Sequence, residues 1–141
     1  GDVYKRQVVQ VAQEFSHLTE NFDAALAACW CHDTLEDCGI SYNDLVEKVG
    51  VQVADAVFCV TNEQGKSRKE RAFRTYPKIW QSELATFVKL CDRIANMRAS
   101  RVENQRLFNA YLSEYPIFRY ALYSDRHQPM WDVLDALAET G

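Results

Sequence analysis

Residues 82–100, SELATFVKLCDRIANMRAS, constrain the fold more than any other stretch. Leu84, Phe87, Val88, Cys91, Ile94, Ala95 and Met97 recur at three- and four-residue spacing, which marks the inner faces of a helix. The rest of the chain repeats that period. Val8, Val9, Val11, Ala12, Phe15 and Leu18 outline a first helix, and Asn21 or Asp23 caps a second that runs through AALAACWCHD to about Gly39. Ser41 and Asp44 have capping-box-like spacing, and Gly50 ends the helix they start. VQVADAVFCVT has the composition of a strand, but its helical neighbours favour a buried helix. A polar loop, NEQGKSRKER, leads into a helical region that Pro77 interrupts. NQRLFNAYLSEY runs to a break at Pro116, and MWDVLDALAE closes the chain as an amphipathic helix. The expectation is an all-α fold of about six or seven helices in one domain.

Length and charge narrow the function classes. A chain of 141 residues suits a single domain, and 48% hydrophobic residues are enough for a core. The net charge is −4 with no Lys/Arg block, which disfavours a general nucleic-acid-binding role. A small anionic substrate is compatible, because a pocket can carry a sign opposite to the whole. The five cysteines are odd in number and form no CxxC, so they read as reduced, mostly buried apolar residues of a cytoplasmic protein. No apolar run reaches the roughly 18 residues a membrane span needs. No signal peptide is visible, and nothing speaks to oligomeric state. The opening GDVYKRQ has no Met and little apolar pattern, and reads as a truncated or non-native start.

The chemistry concentrates in CWCHDTLEDCG, residues 29–39. An apolar helix ends there in His32, Asp33, Glu36 and Asp37. Imidazole beside carboxylate suits Mn, Fe, Zn or Mg, with carboxylate-rich sets leaning to the harder ions. Glu36 and Asp37 stand at i+4 from His32 and Asp33, so on one continuous helix they share a face and can orient or deprotonate an attacking water. A third ligand must come from elsewhere. Asp92 is the best candidate, a carboxylate on an otherwise apolar helix. Asn96 lies one turn further on, and Lys89 and Arg93 flank it.

Three phrases, HDTLEDCG, VTNEQGKSRKER with TYPKI, and VKLCDRIANMR, resemble the HD-domain phosphohydrolases. Within these, the chain is most similar to the RelA/SpoT-type hydrolase branch with its small stand-alone members. The likeness covers roughly residues 8–125. It implies an all-α fold, one Mn²⁺ and hydrolysis of a nucleotide phosphate or pyrophosphate ester, with (p)ppGpp as the branch's best-known substrate. It also implies that His32, Asp33 and Asp92 are metal ligands and that Glu36 and Asp37 are the catalytic acidic pair. Asn96 then contacts the nucleotide sugar. Lys66, Arg68, Lys69 and Arg71 form a basic loop facing phosphates, and Lys89 and Arg93 join the substrate-binding set.

The pattern departs in one place. The family's first metal ligand is a histidine ahead of VVQVAQEF, within positions 4–7, and here those are Tyr4, Lys5, Arg6 and Gln7. A truncated or wrongly started enzyme accounts for this. The alternative is a non-catalytic HD-like module that binds a nucleotide or a protein. His17 reads as a surface or capping residue, and His127 is not expected to be a ligand. Trp30 and Trp80 read as core or pocket wall. Most of Tyr111, Tyr115, Phe118, Tyr120 and Tyr123 should pack against the bundle.

Overall fold

The computed structural model describes residues 2–140; Gly1, the first residue of the suspected foreign start, lies outside them. Nine α-helical segments and no strand occur among the described residues: α1 (Asp2–Glu14), α2 (Phe22–Cys31), α3 (Thr34–Asp37), α4 (Tyr42–Val49), α5 (Val51–Val60), α6 (Arg68–Trp80), α7 (Glu83–Glu103), α8 (Gln105–Leu122) and α9 (Gln128–Glu139). Short 3-10 turns follow α1 at Ser16–Leu18 and precede α9 at Asp125–His127. The all-α expectation holds, and α5 is a helix despite its strand-like composition.

The helix α7 organises the bundle. It packs against α1, α2, α5, α6, α8 and α9, so most of its circumference is buried. Leu84, Phe87, Val88, Leu90, Cys91, Ile94, Ala95 and Met97 all lie in the core. Side chains fix where the helices start. Asn21, Ser41, Ser67, Ser82 and Asn104 each accept a hydrogen bond from a backbone N–H in the first turn of the helix that follows. Gly50, at φ 86°, lets α4 stop and α5 start with no spacer between them.

The nine helices exceed the expected six or seven, and one of the extra ones is the single turn Thr34–Asp37, which breaks off after His32. The prolines, by contrast, break nothing. α6 continues through Pro77 and α8 through Pro116. Both prolines are exposed. The carbonyl each leaves without an N–H partner therefore lies on the side where water can satisfy it. The packed faces, Thr75, Tyr76 and Ile79 on α6 and Tyr115, Phe118 and Leu122 on α8, run on across the interruption.

At the α8–α9 end, Trp131 is fully buried, with ring centroids of Phe118 and Tyr123 5.8 Å and 5.7 Å away. Tyr111 and Tyr115 are buried too, whereas Tyr120 faces solvent. Trp30 and Trp80 leave the core altogether, at 42% and 53% exposed. Each sits near the end of its helix, on the side its neighbours do not cover. Trp80 edges only a small pocket beside Glu83 and His127. Three of the five free cysteines, Cys29, Cys59 and Cys91, are buried as small apolar residues. No helix among the described residues is long and apolar enough to cross a membrane.

Candidate active site

The three helices α1, α2 and α7 meet at the acidic and imidazole side chains. His32 is the residue on which α2 ends. Asp33 follows at φ −110°, ψ 4° and starts the single turn α3. The chain therefore bends between His32 and Asp33. The shared face expected from a continuous helix is replaced by a corner, because Asp33 leaves helical geometry. Glu36 and Asp37 lie on α3 beyond that corner, both exposed, and among the described residues neither side chain has a hydrogen-bond or ion-pair partner.

His32 and Asp92 do come together. His32 Nδ1 lies 2.8 Å from the Cys29 carbonyl, and Nε2 lies 3.3 Å from Asp92 Oδ1. The carbonyl accepts the Nδ1 proton, which leaves Nε2 turned toward the carboxylate. Burial disfavours the charged imidazole. The hydrogen bond and charge of Asp92, with the Cys29 carbonyl and Asp33, outweigh it and push His32 up to about 9. Burial likewise works against the Asp92 carboxylate. His32, Lys89 and Tyr4 outweigh it and hold Asp92 well below the usual carboxylate range.

The N-terminal helix covers this pair. Tyr4 donates its hydroxyl to Asp92 Oδ1, and its ring stands edge-on to His32 at 6.3 Å between centroids. Asn96 lies one turn along α7 from Asp92. Lys5 Nζ lies 3.4 Å from Asp33 Oδ1, a buried oxygen that makes no hydrogen bond. Lys89 Nζ lies 3.9 Å from Asp92 Oδ2. The sequence showed that positions 4–7 lack a histidine. It did not show that Tyr4 and Lys5 would take up contacts to two of the expected ligands.

The residues fit a divalent cation in part. Nε2 of His32 and the Asp92 carboxylate face one another, and Asp33 Oδ1 makes no hydrogen bond and has the Lys5 ammonium beside it. Among the described residues, however, no three His, Cys, Asp or Glu side chains converge as a metal-binding group.

The basic residues divide. Arg68, Arg71, Lys89 and Arg93 line one pocket between α6 and α7. Lys69 borders the groove next to it, and Lys66 points into solvent while its backbone N–H donates to Glu70. His17 caps nothing and lies in the turn after α1. His127 is buried and hydrogen-bonded to Glu83, outside this site.

The bundle with this arrangement of α1, α2 and α7 has the fold of an HD-domain hydrolase of RelA/SpoT type. A solved structure of a metazoan ortholog of SpoT, described as hydrolysing ppGpp and playing a role in starvation responses, superposes with a TM-score of 0.76. The two sequences are 23% identical over 97% of this chain and 80% of that one. No protein-family model matches the chain, and no curated protein matches its sequence.

Proposed function

We propose that this chain is a cytoplasmic, metal-dependent phosphohydrolase domain acting on a phosphorylated nucleotide. In this reading its reaction is that of a guanosine 3′,5′-bis(diphosphate) 3′-pyrophosphohydrolase. The observation that carries the reading is the meeting of His32 and Asp92, from two distant segments, with the imidazole locked by Cys29. A ring fixed through Nδ1, with Nε2 turned toward a carboxylate, is how ligand pairs are oriented. The SpoT ortholog with the same fold supports it.

A divalent cation, Mn²⁺ in this reading, would be held by His32 and Asp92 with Asp33 beside them, and would activate water and polarise the phosphoryl oxygens. The protein's own residues do the rest. Glu36 and Asp37 stand on a turn held to the Asp33 carbonyl through their backbone N–H groups, at 3.2 Å and 2.8 Å. Without internal partners, their carboxylates are available to orient water and accept its proton. Lys89 brings positive charge up to Asp92, Arg93 lines the adjoining pocket, and in this reading Lys66 and Lys69 bring charge to the rim. In this reading Asn96 meets the sugar. Positioning and charge neutralisation supply most of the rate in such transfers.

One observation favours a second reading, a non-catalytic module of the same fold. Tyr4 and Lys5 already occupy Asp92 and Asp33.

The test is phosphate and pyrophosphate release in Mn²⁺ from ppGpp, pGpp, NADPH and dNTPs. Turnover that is lost in His32→Ala and Asp92→Ala is the expected result. Turnover undiminished in both variants would overturn the assignment. Silence of every substrate, in this chain and in one given a relative's histidine segment, would favour the binding module.

A further inference from the structure

Residues 61–67, TNEQGKS, form no helix or strand, yet their backbone is bound to α6 along its length. The Thr61 carbonyl accepts from Lys78 Nζ at 2.9 Å. The Glu63 N–H donates to Thr75 Oγ1 at 3.0 Å, and the Gln64 carbonyl accepts from Arg74 Nη1 at 3.1 Å. The Gly65 carbonyl lies 3.4 Å from Arg71 Nη1, and the Lys66 N–H donates to Glu70 Oε2 at 2.7 Å. As the segment advances, its partners step back along α6 from Lys78 to Glu70. They stand at i, i+1, i+4, i+5 and i+8, which is one face of a helix. A polar loop usually leaves its backbone to water; here the helix that follows supplies the partners. Of these anchors only Thr75 is buried, and its hydroxyl donates onward to the Arg71 carbonyl at 2.6 Å. At Gly65 a β-carbon would stand 3.0 Å from the Arg71 backbone nitrogen, so the segment approaches α6 more closely than a side chain there allows.

We infer that residues 61–67 are a fixed strap rather than a mobile lid, that Thr75 is the residue that positions it, and that the strap holds Asn62 in place as a wall of the ligand pocket. Asn62 and Thr75 both line the pocket of about 120 Å³ between α6 and α7, which Lys89 joins to the candidate active site. The strap itself rests on its hydrogen bonds to α6; its part in turnover rests on the phosphohydrolase reading. The Asn62 side chain is an amide, able both to donate and to accept. It reaches the pocket on a backbone that is already ordered. Ordering a loop at the moment of binding costs affinity, so a loop held beforehand acts on KM more than on kcat.

Limited trypsin digestion of the full chain, with cleavage after the exposed Lys66 followed by mass spectrometry, reads the strap without any ligand. Thr75→Val keeps the shape of the buried side chain but leaves the Glu63 N–H without its acceptor. Cleavage after Lys66 should accelerate by about tenfold, because proteolysis tracks the population of the locally open form. Thr75→Ser restores the hydroxyl and should cleave like wild type. Gly65→Ala leaves Thr75 in place, forces a β-carbon against Arg71 and should open the strap too. Cleavage after the exposed Arg101, in the last turn of α7, should stay unchanged throughout, which separates strap opening from unfolding. Equal cleavage after Lys66 in wild type, Thr75→Val and Gly65→Ala would overturn the strap, and active hydrolysis alongside it would leave the enzyme reading standing. Kinetics in Mn²⁺ test the link to the ligand. Thr75→Val and Asn62→Ala should each raise KM by about three- to tenfold with kcat nearly unchanged, and the double variant should be no worse than the worse single one. Additive losses would overturn the link from Thr75 to Asn62. Hydrolysis of no nucleotide would overturn the enzyme reading and Thr75's part in turnover, while the cleavage rates would still decide the strap.

Discussion

Tyr4 donates its hydroxyl to Asp92 Oδ1, the oxygen that also faces His32 Nε2 at 3.3 Å. One carboxylate oxygen of α7 thus serves two side chains, one from α1 and one from the end of α2. Burial and the adjacent Asp92 charge push the Tyr4 phenol far above its ordinary range, so the hydroxyl stays a donor throughout the physiological range. A donor in that place competes for the lone pair a cation would use. A histidine there would instead offer its own lone pair.

Tyr4→His should therefore turn a competitor into a ligand. Mn²⁺ affinity, followed by calorimetry, should rise by roughly 10- to 100-fold, the scale on which a ligand's surroundings tune metal binding. Nucleotide hydrolysis should rise with it. Tyr4→Phe removes the donor and adds nothing, so it should gain far less. Equal gains in the two variants would mean that position 4 does not face the metal.

Glu36→Gln and Asp37→Asn separate chemistry from folding. Both carboxylates are exposed and lack partners among the described residues, so each change should alter stability by no more than about 0.5 kcal/mol. Turnover should nevertheless fall by about 10²-fold or more, the usual contribution of a positioned acid or base. Full activity in either variant would remove that residue from the mechanism.

The helical period of residues 82–100 exposed the centre of the fold directly, because a helix buried on most sides must be apolar at nearly every inward position. The caps at Asn21 and Ser41 and the stop at Gly50 were equally legible, each being a local matter of one side chain and one turn. Helix α6 was not, since Pro77 signals a break only where the freed carbonyl is buried, and here the proline is on the outside. The His32–Asp33 corner was hidden for a related reason: the dipeptide reads as helical until packing of α2 against α1 and α7 decides where it ends. The ion pair of Arg93 Nη2 with Glu114 Oε2, at 3.4 Å, spans α7 and α8 and has no motif of its own. Its one sequence trace is a charged residue among the apolar positions of α7.

Trp131 tests the core where α8 and α9 meet. It is fully buried among Tyr115, Phe118 and Tyr123, on the inner face of α9. Trp131→Ala removes the largest buried side chain there and should cost about 3–5 kcal/mol. Urea unfolding should show a matching drop in midpoint with an unchanged slope. A loss under about 1 kcal/mol would mean that α9 contributes little to the cooperative unit.

Glu83 sets the acid limit of that same region. It accepts a hydrogen bond from Nε2 of the buried His127 at 2.9 Å, and Arg126 Nη2 lies 3.7 Å away. Burial opposes the charged carboxylate, but His127, Arg126 and Thr19 together outweigh it and hold its pKa below the ordinary carboxylate value. A carboxylate depressed in this way adds stability above its unfolded pKa, about 4.3 for glutamate, and loses it as the pH falls through the folded value. Glu83→Gln should accordingly be less stable than wild type at pH 7. The gap between their melting temperatures should narrow below about pH 4.3. Melting curves that stay parallel down to pH 3 would show that the Glu83 charge does not support α7 against the α9 turn.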